Sequence, residues 1–435
     1  MNPTAWEFPW LDPEAKHDAE TAAVTRQGSW VLLAEIANSA MGFAFWALAA
    51  NFFSPHDVGI AGSLVGLSSL GTSIAILGLD NGLVRYAPRV SQPRRMIRQL
   101  SLIAGSLGAV VGFVLALSVL TLSQAGEGAL LLLVGTSVVL TVSQIWFQIT
   151  DSAILAAGKS HILAMRSLAY GAAKIGLVFA VFAAGAAGLF AAYTAPLLGV
   201  VIVSFLLVPR LWPGKNDLGV PYRFREVASL SAGNWISGFA YSLPSRVGAS
   251  LILIFLGERL GAPTAAFFFI SLQLAEILNY VSESVAKSLY AHGSREDRLT
   301  PTLTASMRGL LLLILVPLVI VGLVASPFAL SVVGGARYAA HALSLQLFLL
   351  ATLPKALYQV FKAQFNVERR PMALVTSGAV LGFSTLAFLV IGLALRIDAD
   401  WLPISWLLGG VLAVAVSSYL AGWKPKFRPP NVPSS

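Results

Sequence analysis

The sequence predicts an all-α integral membrane protein with twelve transmembrane helices in two six-helix bundles. Three observations predict it: a charge-poor composition, a series of apolar stretches of membrane-spanning length, and an echo of one half in the other. Of 435 residues 57% are hydrophobic and 11% charged, where an ordinary soluble domain carries about 25% charged residues. A hydrocarbon core of about 30 Å takes about 20 residues of helix. Lipid offers the exposed backbone no hydrogen-bond partner, so a run of this length must satisfy its own backbone as a helix.

Twelve stretches meet that description: 29–53, 60–79, 99–122, 129–150, 162–184, 187–208, 229–256, 264–289, 305–325, 340–361, 373–395 and 401–422. Residues 1–28 form a polar, acidic tail with Glu7, Asp12, Glu14, Asp18 and Glu20 and no apolar core before a cleavage site, unlike a signal peptide. The first bundle is expected over 29–208 and the second over 227–422. Between them, 209–226 holds the turn-rich, charged "PRLWPGKNDLGVPYRFR", and 423–435 is a second tail. With no cysteine there are no disulfides or thiolate metal sites.

Charge sets the expected orientation. If the N-terminus is inside, nearly all Lys and Arg fall on the cytoplasmic side, with Arg85, Arg89, Arg94, Arg95 and Arg98 together between spans two and three. Arg259, Arg337 and Arg396 fall outside. The positive-inside rule then places both termini in the cytoplasm of a cell membrane, and the +9 net charge reads as anchors near anionic headgroups, with no nucleic-acid role. Three cations remain at membrane depth: Lys174, Arg246 and Lys355.

The echo relates the halves. "NSAMGFAF" in span one (Asn38 to Phe45) returns 196 residues later as "NWISGFAY" in span seven (Asn234 to Tyr241), and "VRYA" (Val84 to Ala87) is matched by "SLYA" (Ser288 to Ala291). Six spans per half give both halves the same orientation, related by an axis along the membrane normal.

At 100° per residue, Ser231, Asn234, Trp235, Gly238, Tyr241, Ser242, Ser245, Arg246 and Ala249 fall in one sector of span seven. Arg246 thus faces the bundle interior, about 15 Å from the outer end. Pro244 beside it removes a backbone donor, so a bend and a gate hinge are expected there. Span eight carries Gln273, Glu276, Tyr280, Glu283 and Lys287 as another stripe. Glu276 matches Arg246 in depth and is a candidate ion-pair partner. Lys174 in span five and Lys355 beside Pro354 in span ten are expected to face the interior, as intramembrane ionisable groups do. Glu35 and Asn38 share a face of span one. Asp80 and Asp151 read as caps or loop anchors, and His56 and His341 have no partners at metal-ligand spacing.

The stretches "FFSPHDVGIAGSLVGLSSL" from Phe52, "LGLDNGLVRYAPR" (Leu77 to Arg89), "ILAAGKSHILAMRSLAYGAAKIGLVF" (Ile154 to Phe179), "LILIFLG" (Leu251 to Gly257) and "YAAHALSLQLFLLATLPKALYQVFKAQFNVERRP" (Tyr338 to Pro371) resemble oligosaccharide flippases of the O-antigen and capsule type. These belong to the multidrug/oligosaccharidyl-lipid/polysaccharide exporter superfamily. The resemblance covers residues 25 to 420. It departs at Ser250, where many relatives carry an acidic residue.

The resemblance implies a V-shaped pair of bundles working by alternating access. Such a transporter would flip a polyprenyl-diphosphate-linked oligosaccharide from the cytoplasmic to the outer leaflet for polysaccharide biosynthesis, beside a polysaccharide polymerase. Substrate contacts would then be Arg246, Lys174, Lys355, Asn234, Tyr241, Asn38 and Gln273; a planar guanidinium suits phosphate oxygens. Arg246 could instead stay paired with Glu276, or exchange it for substrate. Proton or sodium coupling and gating fall to Glu276, Glu35, Glu283 and Pro244. No cofactor or metal is implied. A lipid II flippase and a cation-coupled multidrug antiporter are alternatives within the superfamily. A membrane glycosyltransferase or polymerase is the enzymatic one, but the outer connections are short and carry no paired carboxylates, phosphate loop or nucleophile elbow.

Overall fold

The computed structural model describes residues 13–122, 127–212, 224–295, 301–368 and 370–422, apart from the side chains of some residues within them. The helices are α1 (Pro13–Phe52), α2 (Pro55–Ile76), the short α3 (Leu79–Tyr86), α4 (Pro93–Leu122), α5 (Glu127–Ala156), α6 (Ser160–Val181), α7 (Gly185–Leu211), α8 (Phe224–Arg295), α9 (Pro301–Gly334), the single turn α10 (Ala336–Ala339), α11 (Ala342–Val367), α12 (Pro371–Ala394) and α13 (Ile404–Gly422). Among the described residues, 11 helical segments are long and apolar enough to cross a membrane, and that over Trp235–Glu283 has 49 residues, enough for two crossings. The break within α8 is Gly257, at φ 71° and ψ 171°, a conformation open to glycine. After it Gly261 lies against the backbone of Ile252 and Leu253, so the chain has reversed. The two arms of α8 are the seventh and eighth crossings, and twelve crossings result. An even number puts the start of α1 and the end of α13 on one face, here the terminal face; the opposite one is the distal face.

Helix boundaries have local causes. Ser54 caps α2: the Asp57 backbone N–H donates to its Oγ at 3.1 Å, the Ser54 hydroxyl donates to Asp57 Oδ2 at 2.6 Å, and Pro55 fills the first turn. The helix therefore starts five residues ahead of the predicted 60. Asp57 also accepts from the Ala186 backbone N–H at 2.9 Å, tying the distal ends of α2 and α7 together. The first span likewise extends back to Pro13, through Ala-, Glu- and Lys-containing sequence that favours helix. The Ser-Pro at 326–327, just beyond the predicted span 305–325, lies inside α9. The Leu323 carbonyl that Pro327 cannot serve accepts instead from Ser326 Oγ at 2.9 Å and Gln346 Nε2 at 3.1 Å. Pro244 likewise lies inside α8, with helical backbone dihedrals. The Ala240 carbonyl it frees lies against Gly382 of α12, where the absence of a side chain lets the two backbones meet.

The helix α2 is the most enclosed, with 78% of its most apolar stretch buried against 22% for α9. Its small residues explain this. Gly59 abuts the Ala262 carbonyl, Gly62 the Phe269 ring and Gly66 the Arg246 carbonyl, a stripe that lets α2 approach both arms of α8 as small residues do between membrane helices. Ser250 Oγ donates to the Ser63 carbonyl at 3.1 Å across the same seam.

Polar contacts clasp the two halves at the distal face. Asn51 at the end of α1 donates to the Val332 and Val333 carbonyls at the end of α9. Arg337 in α10 donates to the Ala50 and Phe53 carbonyls at 2.8 and 3.1 Å. His56 Nε2 lies 3.3 Å from Glu258 Oε1.

A Gly59→Val change should drive α2 away from α8, because overpacking of this kind costs about 1–3 kcal/mol. Thermal unfolding in detergent is expected to show a clear fall in melting temperature, while Gly176→Ala, which meets nothing within 4 Å, leaves it unchanged. Equal melting temperatures for both variants would contradict a tight α2–α8 seam.

Candidate functional site

Helices α1, α2, α6, α7, α8 and α11 enclose a cavity of about 530 Å³ between the helices before residue 212 and those after 224. Eight residues expected from the sequence line it: Arg246, Lys174, Lys355, Tyr241, Asn38, Gln273, Glu276 and Glu283. Glu35 is exposed on α1 and is not among the lining residues. Pro244 is buried in the wall behind them. The side chains of Ser231, Asn234 and Lys287 lie outside the described residues.

Arg246 stands where the two halves meet. Its Nη1 donates to the Ser69 carbonyl of α2, brought within reach because Gly66 lets that helix press against the Arg246 backbone. A guanidinium has five N–H donors, and among the described residues no carboxylate lies within ion-pair distance of this one. Glu276 pairs instead with Lys355, and its candidate pairing with Arg246 is therefore corrected. Depth alone suggested it, but the two side chains leave α8 towards different neighbours. A smaller chamber of about 180 Å³ continues from Arg246 to Gln144, Gln148 and Tyr170.

Lys174 is 2% exposed. Its Nζ sits 4.5 Å from the centre of the Tyr170 ring, 5.3 Å from that of Tyr193 and 5.8 Å from that of Phe45. Three aromatic faces stabilise an ammonium electrostatically without neutralising it, and no carboxylate among the described residues does so.

The third cation is paired. Lys355 Nζ lies 2.7 Å from Glu276 Oε1, and Asn279 Nδ2 donates to Glu276 Oε2 at 2.9 Å. Lys355 also sits 5.2 Å above the Tyr241 ring. The Tyr241 hydroxyl accepts from Gln359 Nε2 at 2.9 Å, and its ring stacks on Tyr358. The cavity thus combines a hydrogen-bonded Lys355–Glu276 cluster and the Glu283 carboxylate with two cations, Arg246 of α8 and Lys174 of α6, that have no carboxylate within ion-pair distance among the described residues.

The aromatic cage was missed from the sequence. Tyr170 could have been found, since it precedes Lys174 by four residues on one helix face, but nothing local marked Tyr193 of α7. Asp151, expected as a cap or loop anchor, lies inside α5 and pairs with Arg166 at 2.7 Å, joining α5 to α6 across their short connection. Arg166 also donates to Thr150 Oγ1 at 3.0 Å and lies over Phe147. Asp80 falls in the first turn of α3, but the N-cap position is Gly78 and carries no side-chain cap hydrogen bond. His341 Nδ1 lies 2.8 Å from Asp400 Oδ1, and its ring stacks on Phe267. No cluster of His, Asp or Glu at metal-binding spacing occurs among the described residues.

Removing Lys355 should leave Glu276 partly buried without its counter-charge. A broken buried pair costs about 3–5 kcal/mol, and water in the cavity reduces this to about 2 kcal/mol here, since Glu276 is 25% exposed. Lys355→Met is expected to lower the melting temperature, and Lys355→Met with Glu276→Gln to restore most of it. A double variant as unstable as the sum of the two single ones would contradict the pairing.

No protein-family model matches the chain, and no curated protein matches it. Solved structures do. One is an inward-facing multidrug resistance MATE family transporter of the MOP superfamily, 16% identical over 90% of this chain and 94% of that one, with a TM-score of 0.59. Another is the lipid II flippase MurJ in an inward closed conformation, 11% identical over 91% and 88%, with a TM-score of 0.64. A third is an outward-facing MATE family transporter, 14% identical over 92% and 94%, with a TM-score of 0.51. The chain is a multi-pass helical membrane protein with the fold of these transporters.

Proposed function

We propose that this protein is a membrane transporter that flips a polyprenyl-diphosphate-linked oligosaccharide from the cytoplasmic to the outer leaflet of the cell membrane. The observation that carries the reading is the pair of cations, Arg246 and Lys174, lining a cavity between the two halves with no carboxylate within ion-pair distance of either among the described residues, since Glu276 is held by Lys355. Burying uncompensated charge costs several kcal/mol, and a diphosphate headgroup supplies the missing anions. Arg246 offers a fork to phosphate oxygens, and Lys174 a point charge held by aromatic rings. Asn38, Tyr241, Gln273, Gln144 and Gln148 offer hydrogen bonds to sugar hydroxyls, while the lipid tail stays in the bilayer.

The two six-helix bundles are the moving bodies of this reading. The distal clasp of Asn51, Arg337 and His56 holds the cavity shut on the outer side, and α2 against α8 is the seam that opens. Glu276, released from Lys355, and Glu283 are the groups that take up a proton or sodium ion. Pro244 weakens α8 beside Arg246 and allows the arm to flex, whereas the exposure of Glu35 on α1 makes it the weakest coupling candidate. A polysaccharide polymerase would use the flipped product. Lipid II flipping is a second reading, favoured by the MurJ likeness in fold and by the same diphosphate chemistry. A multidrug antiporter accounts less well for two unneutralised cations.

Purified protein in liposomes containing a fluorescent polyprenyl-diphosphate oligosaccharide tests the proposal. Loss of one charge-assisted contact of about 2 kcal/mol slows flipping about 30-fold, so Arg246→Ala and Lys174→Met should each do so while the protein remains folded. Wild-type rates in both variants would remove the phosphate-contact role.

A further inference from the structure

A second cationic pocket lies on the terminal face, away from the central cavity. It has a volume of about 460 Å³ and is lined by Arg94, Arg95 and Arg98 of α4 and by Phe205, Val208 and Pro209 of α7. The three arginines are exposed, and among the described residues no carboxylate lies within ion-pair distance of any of them. Their roles differ. Arg94 is structural: its Nε donates to the Trp212 carbonyl at 2.7 Å, and the Trp212 indole donates to the Ala153 carbonyl at 3.1 Å. This fixes the end of α7 against α4 and α5 and so builds the pocket wall. Among the described residues Arg95 reaches only Gln92 Oε1, at 3.3 Å, and Arg98 lines the pocket.

We propose that this pocket binds the headgroup of an anionic glycerophospholipid. Three observations define the ligand. The arginine rim calls for phosphate oxygens, which guanidinium groups meet with two parallel hydrogen bonds. The opposite wall, with Phe205, Val208 and Pro209, is apolar, which suits a glycerol backbone and the first carbons of an acyl chain better than a free phosphate ion. The helix faces leading away from the pocket expose Leu102 on α4 and Ile202 and Leu206 on α7, at 57, 53 and 66%, an apolar track for the rest of the chain. Basic pockets between membrane helices at headgroup level bind anionic lipids in this way. A zwitterionic headgroup brings its own cation to the rim and loses the advantage. The arginines between spans two and three therefore hold one specific lipid between α4 and α7, in addition to orienting the chain.

Native mass spectrometry of the full-length protein in detergent, with equimolar phosphatidylglycerol and phosphatidylcholine, tests this. Wild type should retain phosphatidylglycerol preferentially. The Arg95→Gln, Arg98→Gln double variant, which keeps Arg94 and the wall, should lose that preference by on the order of tenfold with an unchanged melting temperature. Lys159→Gln, an exposed cation in the connection after α5, should retain it. Equal retention of the two lipids by wild type, or an equal loss with Lys159→Gln, would reduce the effect to diffuse surface charge and overturn the proposal. Displacement of the lipid by inorganic phosphate at equal concentration would assign the pocket to a free anion. Preferential displacement by polyprenyl phosphate would assign it to the transported lipid. Either result would overturn the assignment.

Discussion

An unneutralised charge at membrane depth constrains everything packed around it. Arg246 and Lys174 both occupy such positions, and the helices near them are arranged to make this tolerable. For Arg246 the device is a backbone carbonyl. The glycine stripe of α2 brings that helix close enough to α8 for the Ser69 carbonyl to accept from the guanidinium. For Lys174 it is the three ring faces of Phe45, Tyr170 and Tyr193. Neither device cancels the charge. Each lowers the cost of holding a cation ready while leaving its field directed into the cavity, where a low local dielectric strengthens it.

The other ionic groups behave differently, and the contrast separates structure from function. Asp151 and Arg166 are closed into a network with Thr150 and Phe147 on one side of the chain. Lys355 and Glu276 pair inside the cavity, with Asn279 and Tyr241 completing the cluster, where an incoming anion or a proton would compete for them. The distal clasp is made of few polar contacts to helix-end carbonyls. Such contacts hold the two halves together at that face through few hydrogen bonds.

Much of the fold was legible because lipid imposes it. Span length and apolarity located all twelve crossings, and the Gly257 reversal lies in the predicted gap between spans seven and eight. The sequence misled where a local signal was overridden by a neighbour: Ser326 and Pro327 looked like a stop, but a hydroxyl and Gln346 serve the freed carbonyl. Within the cavity, helical periodicity identified the polar face of α8 and so Arg246 and Tyr241. Periodicity fixes a direction on one helix and says nothing of which helix stands opposite. For that reason Glu276 stood as a candidate partner of Arg246 when Lys355 of α11 holds it, and Tyr193 and the Ser69 carbonyl went unseen.

The central claim is that the cavity is built for an anionic lipid headgroup. It is tested most directly by the affinity of the nanodisc-embedded protein for a polyprenyl diphosphate compared with the polyprenol of the same chain length. The account predicts at least tenfold tighter binding of the diphosphate, about 1.4 kcal/mol, with the difference abolished in the Arg246→Ala, Lys174→Met double variant. Equal affinities for the two lipids, or a preference that survives the double substitution, would contradict it.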